Sequence, residues 1–545
     1  MKKKVISVIL SIALMFSACS LCVFANEDVS DTGMQILYTA IDKTVNALVG
    51  GIASLLSTPR SWVSEKNYET PESFLNGSND FIDEPFEGAK WRLGYSDASL
   101  LTGKELSGES DYYVGGSLSV SKKLATAQWD DQRVRTIAIS DGRGISIFAV
   151  LDAYGMANTD VRAIREKFLA QYARNEKIVS INISALHQHS CVDTFGMNGD
   201  IVSALFTSSF KNIFGMDVPS GQNKEYMENL YNKTIDTMNN AIEDMCEGEL
   251  YYGKVNVKEF IRDKRDPEVY DEYLHRFRFV PDDTAKCETW FVEGAIHCVG
   301  NGAAHTELTG DYPYYMQQYI KENYNANFAY IQGAELAISD TDNTRTDNYN
   351  GDVQAAVQPE WKSETAEIRA YGELLAQKLG SIKASDEKKL DPIFNIAYTE
   401  CKVNIDNNIL VLAAKGGLLV NNVVKSGLGK YKIVTEVGYA EFGKDVAVAI
   451  IPGELAPEVA FGGANDILNC WNGETWEYDS YSSKAQSDGK ELIVFGLTND
   501  QVGYLLPNNN WHSYFTENEE IVSAGKNAAA QITEAYFEIY NSVVK

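Results

Sequence analysis

The sequence predicts a mixed α/β fold built around a large sheet core. Three observations carry that prediction. Hydrophobic residues make up 44% of the 545 and aromatic residues 11%, ample for a large core. Apolar runs of strand length, such as Ile145 to Leu151, recur through the chain. Between them lie segments with apolar residues at spacings of three and four, so strands and helices interleave.

Taken in order, the chain opens with Lys2, Lys3 and Lys4, then a mostly apolar run from Val5 to Phe24, ending in Val23-Phe24-Ala25-Asn26. That pattern predicts a signal peptide over 1–25, cleaved after Ala25, and an exported protein, secreted or at the cell surface. Lipid attachment at Cys19 is the second choice, because Phe16 stands where an aliphatic residue is usual. Residues 26–85 read as an N-terminal helix and linker. Leu37, Ile41, Val45, Leu48, Ile52 and Leu55 give Met34 to Thr58 an apolar stripe, expected to pack on the main body rather than touch lipid. Pro59, Pro71 and Pro85 break the stretch that follows.

Residues 86–545 read as one large domain. Arg133 to Ser140 alternates, Ile145 to Leu151 is a buried strand, and Asp141-Gly142-Arg143-Gly144 is the turn between them. Thr159 to Tyr172 reads as a helix capped by Thr159 or Asp160, and Ile178 to Ile183 as a strand. Asn223 to Met245 and Ser363 to Ile382 read as helices. Ile409 to Leu412, Tyr431 to Val437 and Val446 to Ile451 read as strands.

Composition narrows the partners. The formal net charge is −28, and it is more negative still without the three leader lysines. Such a surface disfavours nucleic acid and anionic membranes. After the leader no unbroken run of about 20 apolar residues remains, so no transmembrane span is expected in the mature chain. Cys191, Cys246, Cys287, Cys298, Cys401 and Cys470 are too widely spaced for a zinc finger, and disulfides among them are open in an exported protein.

The chemistry-bearing residues begin at His187-Gln188-His189-Ser190, after the strand ending near Ile183. With six histidines in the chain, two separated by one residue can face one pocket if the backbone there is extended. Imidazole is the commonest metal ligand and an acid–base group near neutral pH. Three later segments also offer such groups: Ala295-Ile296-His297-Cys298 before Thr309-Gly310-Asp311-Tyr312, Ile451-Pro452-Gly453-Glu454, and Gly496-Leu497-Thr498-Asn499 before Gly503-Tyr504.

In that order, and with Asp152-Ala153-Tyr154-Gly155-Met156 upstream, these motifs resemble the neutral, non-lysosomal ceramidase family, over roughly 90 to 530. The resemblance implies a large multi-layer α/β sandwich of sheets flanked by helices. The last motif lies so near residue 545 that the family's C-terminal immunoglobulin-like domain is not expected. It also implies a zinc site, with His187, His297, Glu454 and Tyr504 as ligands and His189 beside the reacting group. His297 is preferred over His305 by register. The implied activity is zinc-dependent hydrolysis of an amide bond in an N-acyl lipid or related small molecule.

This chain departs from the family's Gly-Asp-x-Ser-Pro-Asn segment, which here reads Gly333-Ala334-Glu335-Leu336-Ala337. Glu335 takes the aspartate position, a candidate for proton transfer, and Ala337 takes the serine's. Ser339 lies two residues late, Tyr514 matches a family tyrosine in no clean register, and Cys191 stands where glycine is usual. A secreted binding protein that has lost catalysis, or a hydrolase of another amide or peptide, are the alternative readings. His275 and His512 read as structural. Asp342, Asp347 and Asp352 read as a solvated loop rather than a calcium site, lacking the ordered spacing.

Overall fold

The computed structural model describes residues 32–544 except 79, 117–122, 200–206, 208–210, 212–215, 217–219, 303–304, 340–346, 363, 468–469 and 515–518. The expected leader, with Cys19, and Asp342 lie outside the described residues.

Two sheets stack to form the centre. The larger contains β1 (Trp91–Ser99), β2 (Arg133–Ser140), β3 (Ile145–Leu151), β4 (Ile178–Ala185), β5 (Cys246–Asn256), β6 (Tyr273–Pro281), β7 (Glu288–Gly294), β8 (Ala326–Gln332) and β9 (Lys388–Leu390). Their order is 8-7-6-5-1-2-3-4, with β9 added on β5. The smaller contains β10 (Phe394–Asn404), β11 (Val423–Gly427), β12 (Lys430–Phe442), β13 (Val446–Ile450) and β14 (Glu491–Phe495), ordered 10-12-13-14 with β11 on β12.

Phe148, Phe277, Phe291, Phe394, Phe442 and Phe495 meet between the sheets, with ring centroids 4.5 to 6.3 Å apart. The pleat explains why both faces of a strand are apolar. In β3, Phe148 and Val150 face the other sheet, while Ile147, Ala149 and Leu151 face α2 (Asn158–Gln171) and α3 (Lys224–Asp244) on the outside.

The main helices are α1 (Thr32–Leu55), α2 (Asn158–Gln171), α3 (Lys224–Asp244), α4 (Asp311–Tyr324), α5 (Ala366–Gly380), α6 (Asn408–Lys415) and α7 (Ala528–Val543). Asp347 and Asp352, expected in a solvated loop, lie instead in a further helix, Asp347–Ala356. α3 lies on β1 and β2, and α7 on β10 and β12, so helix layers flank the sandwich. α1 packs against α6 through Val49, Ile52 and Ala53, and Asn46 bonds to Asn408 at both the backbone and the side chain. Ile36, Leu37, Ile41, Leu48 and Leu55 on the same helix are exposed.

One predicted strand is a helix. Ile409 to Leu412 belong to α6, because Asn407 caps the helix by accepting from Ile409 N (3.0 Å). A short apolar run fits either a buried strand or a buried helix, and the cap decides. α2 starts at Asn158, with Thr159 and Asp160 inside its first turn rather than capping it. The six described cysteines are all free. No described helix is long and apolar enough to cross a membrane.

Within these two sheets three strand pairs run parallel: β3 with β4, β7 with β8, and β13 with β14. The large sheet curls until its edges approach, and Gln332 at the end of β8 donates to Leu186 O beyond β4 (2.9 Å). The C-terminal ends of β4, β7, β8 and β13 thereby converge, the usual position for a site in parallel sheets.

Candidate metal centre

Each candidate side chain follows one of those strand ends. β4 stops at Ala185, so the histidine pair is not on an extended strand. His187 instead has φ of 52°, a left-handed conformation rare for a residue with a Cβ. That turn still brings both rings to one side, 4.6 Å apart between centroids. His189 N donates to Cys298 O (3.1 Å), which ties this segment to the one carrying His297. Gly116 presses on His189 from behind. Its φ is 109°, and a Cβ there would lie 2.3 Å from His189 Cα.

Glu454 and Tyr504 sit opposite one another in a two-residue parallel pairing of 454–455 with 504–505. Leu336 N donates to Leu455 O (3.3 Å), joining the Glu335 segment to the same network.

The geometry converges on one carboxylate oxygen. Glu454 Oε2 lies 3.3 Å from His187 Nε2 and 3.4 Å from His297 Nε2. The other oxygen, Oε1, accepts from Gln501 Nε2 (2.7 Å), which holds Oε2 toward the histidines. His187 Nδ1 donates to Tyr154 O (2.9 Å), and the Tyr154 ring stacks on His187 at 4.7 Å. His297 Nδ1 donates to Ile338 O (2.9 Å). Nε2 of both rings therefore faces the cluster. Glu335 Oε2 lies 2.5 Å from His297 Nδ1, on the opposite edge of the ring from Glu454, although the N–H itself is aimed at the Ile338 carbonyl.

These groups are almost fully enclosed: Glu335 is 0% exposed, Glu454 2% and His297 7%. Burial pulls His187 down to about 4 despite the opposing pull of Glu454, and holds His189 well below its ordinary value, helped by His187 and His297. Burial also opposes charge on His297, but Glu335 and Glu454 outweigh it and lift this ring to about 10. Burial, and then Glu454, push the Tyr504 hydroxyl well up.

A neutral imidazole lone pair facing a carboxylate oxygen at 3.3 Å is repulsive unless a cation lies between them. His187 Nε2, Glu454 Oε2 and both nitrogens of His189 are buried without a hydrogen-bond partner. Two imidazoles, a carboxylate and a phenol form a donor set that suits zinc. The residues present therefore fit such an ion.

Of the residues predicted from sequence, His187, His189, His297, Glu335, Glu454 and Tyr504 come together here. His305 does not: its Nε2 is 3.0 Å from Ser190 Oγ. His512 stacks on Trp471 at 4.9 Å. Ala337 is buried, and the hydroxyl of Ser339 is buried without a partner. Gln501 and the Tyr154 carbonyl were not foreseen. Nothing in the sequence marks a glutamine or a backbone oxygen as a clamp.

The structure is a multi-layer α/β sandwich with a His–His–Glu cluster at converging strand ends, and solved structures share that fold. The fold is that of the neutral ceramidases. The neutral ceramidase of Pseudomonas aeruginosa superposes with a TM-score of 0.57 and 13% identity, covering 83% of this chain and 74% of that one. A ceramidase complexed with C2 superposes with a TM-score of 0.58 and 13% identity, covering 83% and 75%. No protein-family model and no curated protein matches the sequence.

Proposed function

We propose that this protein is an exported, zinc-dependent hydrolase of amide bonds, acting on an N-acyl lipid or related N-acyl substrate. The observation that carries this reading is the convergence of His187 Nε2 and His297 Nε2 on Glu454 Oε2, at 3.3 and 3.4 Å, in an enclosed site. The ceramidase fold supports the substrate class, and the leader pattern over 1–25 supports export.

His187, His297, Glu454 and Tyr504 would hold the ion. Zinc supplies a Lewis acid for the scissile carbonyl and lowers the pKa of water. The chain's own residues do the rest. Tyr154 O and Ile338 O fix the tautomers of His187 and His297. His189, whose ring nitrogens are buried with no side-chain partner among the described residues, donates an N–H to the substrate's carbonyl oxygen. Glu335, 2.5 Å from His297 Nδ1, stabilises positive charge on that ring, and the same carboxylate is the nearest candidate for proton transfer.

Loss of catalysis on a retained fold is favoured by one observation, the alanine at 337 where the resembling family carries serine. The two readings separate on metal. Purified full-length protein, stripped and reloaded with zinc, should lose one equivalent in His297→Ala and with it all amide hydrolysis. Equal zinc content in the two proteins would end the hydrolase reading.

A further inference from the structure

A second group of ligand-type residues lies apart from the site above. His275 on β6 and Glu293 on β7 are direct cross-strand partners, so their side chains leave the same face of the sheet. Asp271, just before β6, is turned in by its own backbone: its Oδ1 accepts Tyr273 N (3.0 Å), leaving Oδ2 free to face His275. His275 Nε2 is 2.9 Å from Asp271 Oδ2 and 4.0 Å from Glu293 Oε2. One ligand atom from each residue lies within 4.8 Å of the others. The side chains are 9%, 2% and 1% exposed for Asp271, His275 and Glu293.

The decisive feature is Glu293. Both of its carboxylate oxygens are buried with no hydrogen-bond partner. No lysine or arginine among the described residues pairs with Glu293 or Asp271. A buried carboxylate without partners is too costly to leave uncompensated, and Glu293, facing an imidazole that Asp271 already contacts, calls for a cation or a proton. The packing leaves room for the group. A Cβ on residue 333 would lie 2.0 Å from Glu293 Oε1, so only glycine lets that backbone run past.

The ring is also oriented for ligation. His275 Nδ1 is 2.6 Å from Tyr252 Oη, which fixes the ring with Nε2 toward the two carboxylates; Nε2 meets Asp271 Oδ2 at hydrogen-bond distance (2.9 Å) through a proton, or through a metal once that proton is displaced. We propose that Asp271, His275 and Glu293 form a second site for a divalent metal of the zinc class, independent of the candidate catalytic cluster. Three protein ligands, one imidazole and two carboxylates, suit zinc or manganese. The competing explanation is a proton on Glu293, since burial and Asp271 both push its carboxyl well up.

The test uses the full chain, stripped with a chelator, saturated with zinc, desalted, and assayed for zinc per chain. The wild type should hold two equivalents. Glu293→Gln, isosteric and uncharged, should hold one, His297→Ala one, and the double variant none. Should Glu293→Gln fail to fold, Asp271→Asn carries the same expectation. A Glu293→Gln or Asp271→Asn protein with the wild-type number of zinc ions overturns the second site and assigns Glu293 a proton. Failure of the catalytic reading looks different: His297→Ala would then match the wild type while Glu293→Gln still lost one equivalent.

Discussion

Glu335 Oε2 lies 2.5 Å from His297 Nδ1, while Glu454 Oε2 approaches the same ring's Nε2 at 3.4 Å. The two carboxylates thus bracket one imidazole: Glu454 faces the proposed metal position and Glu335 lies behind the ring. Partners behind a ligating histidine are worth roughly 10- to 100-fold in metal affinity. Glu335→Ala should therefore weaken zinc binding by about that factor, measured by competition with a chromophoric chelator. Unchanged affinity with lost activity would assign Glu335 to proton transfer alone.

Gln501 holds Glu454 from the side away from the histidines, through Nε2 to Oε1 at 2.7 Å. Gln501→Ala frees the carboxylate to rotate, and zinc affinity should fall about tenfold. Gln501→Glu should be worse than Gln501→Ala, because it places a second carboxylate against Glu454. The same chelator competition ranks the three proteins, and the reverse order would contradict this role.

Buried aspartates contribute to the pH response of stability, Asp500 and Asp263 among them. Burial raises Asp500 and Asp263 from 3.8 to about 7, against the hydrogen bonds each accepts. Their carboxyls hold protons more tightly folded than unfolded. Between roughly pH 4 and 7 the folded state binds more protons, so stability falls as pH rises through that window. Thermal unfolding of metal-free protein should show a higher Tm at pH 5.5 than at pH 7.5. Asp500→Asn should flatten that slope and stabilise the protein at the higher pH. A slope unaffected by this substitution would remove Asp500 from the account.

Much of the site was legible because each ligand type sits in a short local motif after an apolar run: His187 and His189, His297, Glu454, Tyr504. What was hidden depends on tertiary placement. The histidine pair faces one pocket through the left-handed turn at His187, not through the extended strand that its spacing suggested. His275 reads as structural by itself, and only the β6–β7 register puts Glu293 beside it. In the fold, Ile409 to Leu412 was taken for a strand because four apolar residues have no decisive period. Asn407, the deciding residue, caps the helix and also donates to Ile521 O and Ser523 O.

That cap gives a further expectation. Asn407→Ala removes the helix cap and two backbone contacts, and should cost about 1–2 kcal/mol in denaturant unfolding. A change within error would mean that packing of α6 against α1 alone sets its stability.

The account stands most directly on catalysis at the His187–His297–Glu454 cluster. The measurement is release of free fatty acid from a panel of N-acyl substrates, ceramides of short and long acyl chain included, by zinc-loaded wild type and by His187→Ala. Hydrolysis of at least one substrate by the wild type, falling to background in His187→Ala, is the predicted result. Equal release by the two proteins, or none above background from the zinc-loaded wild type on any amide, would contradict it.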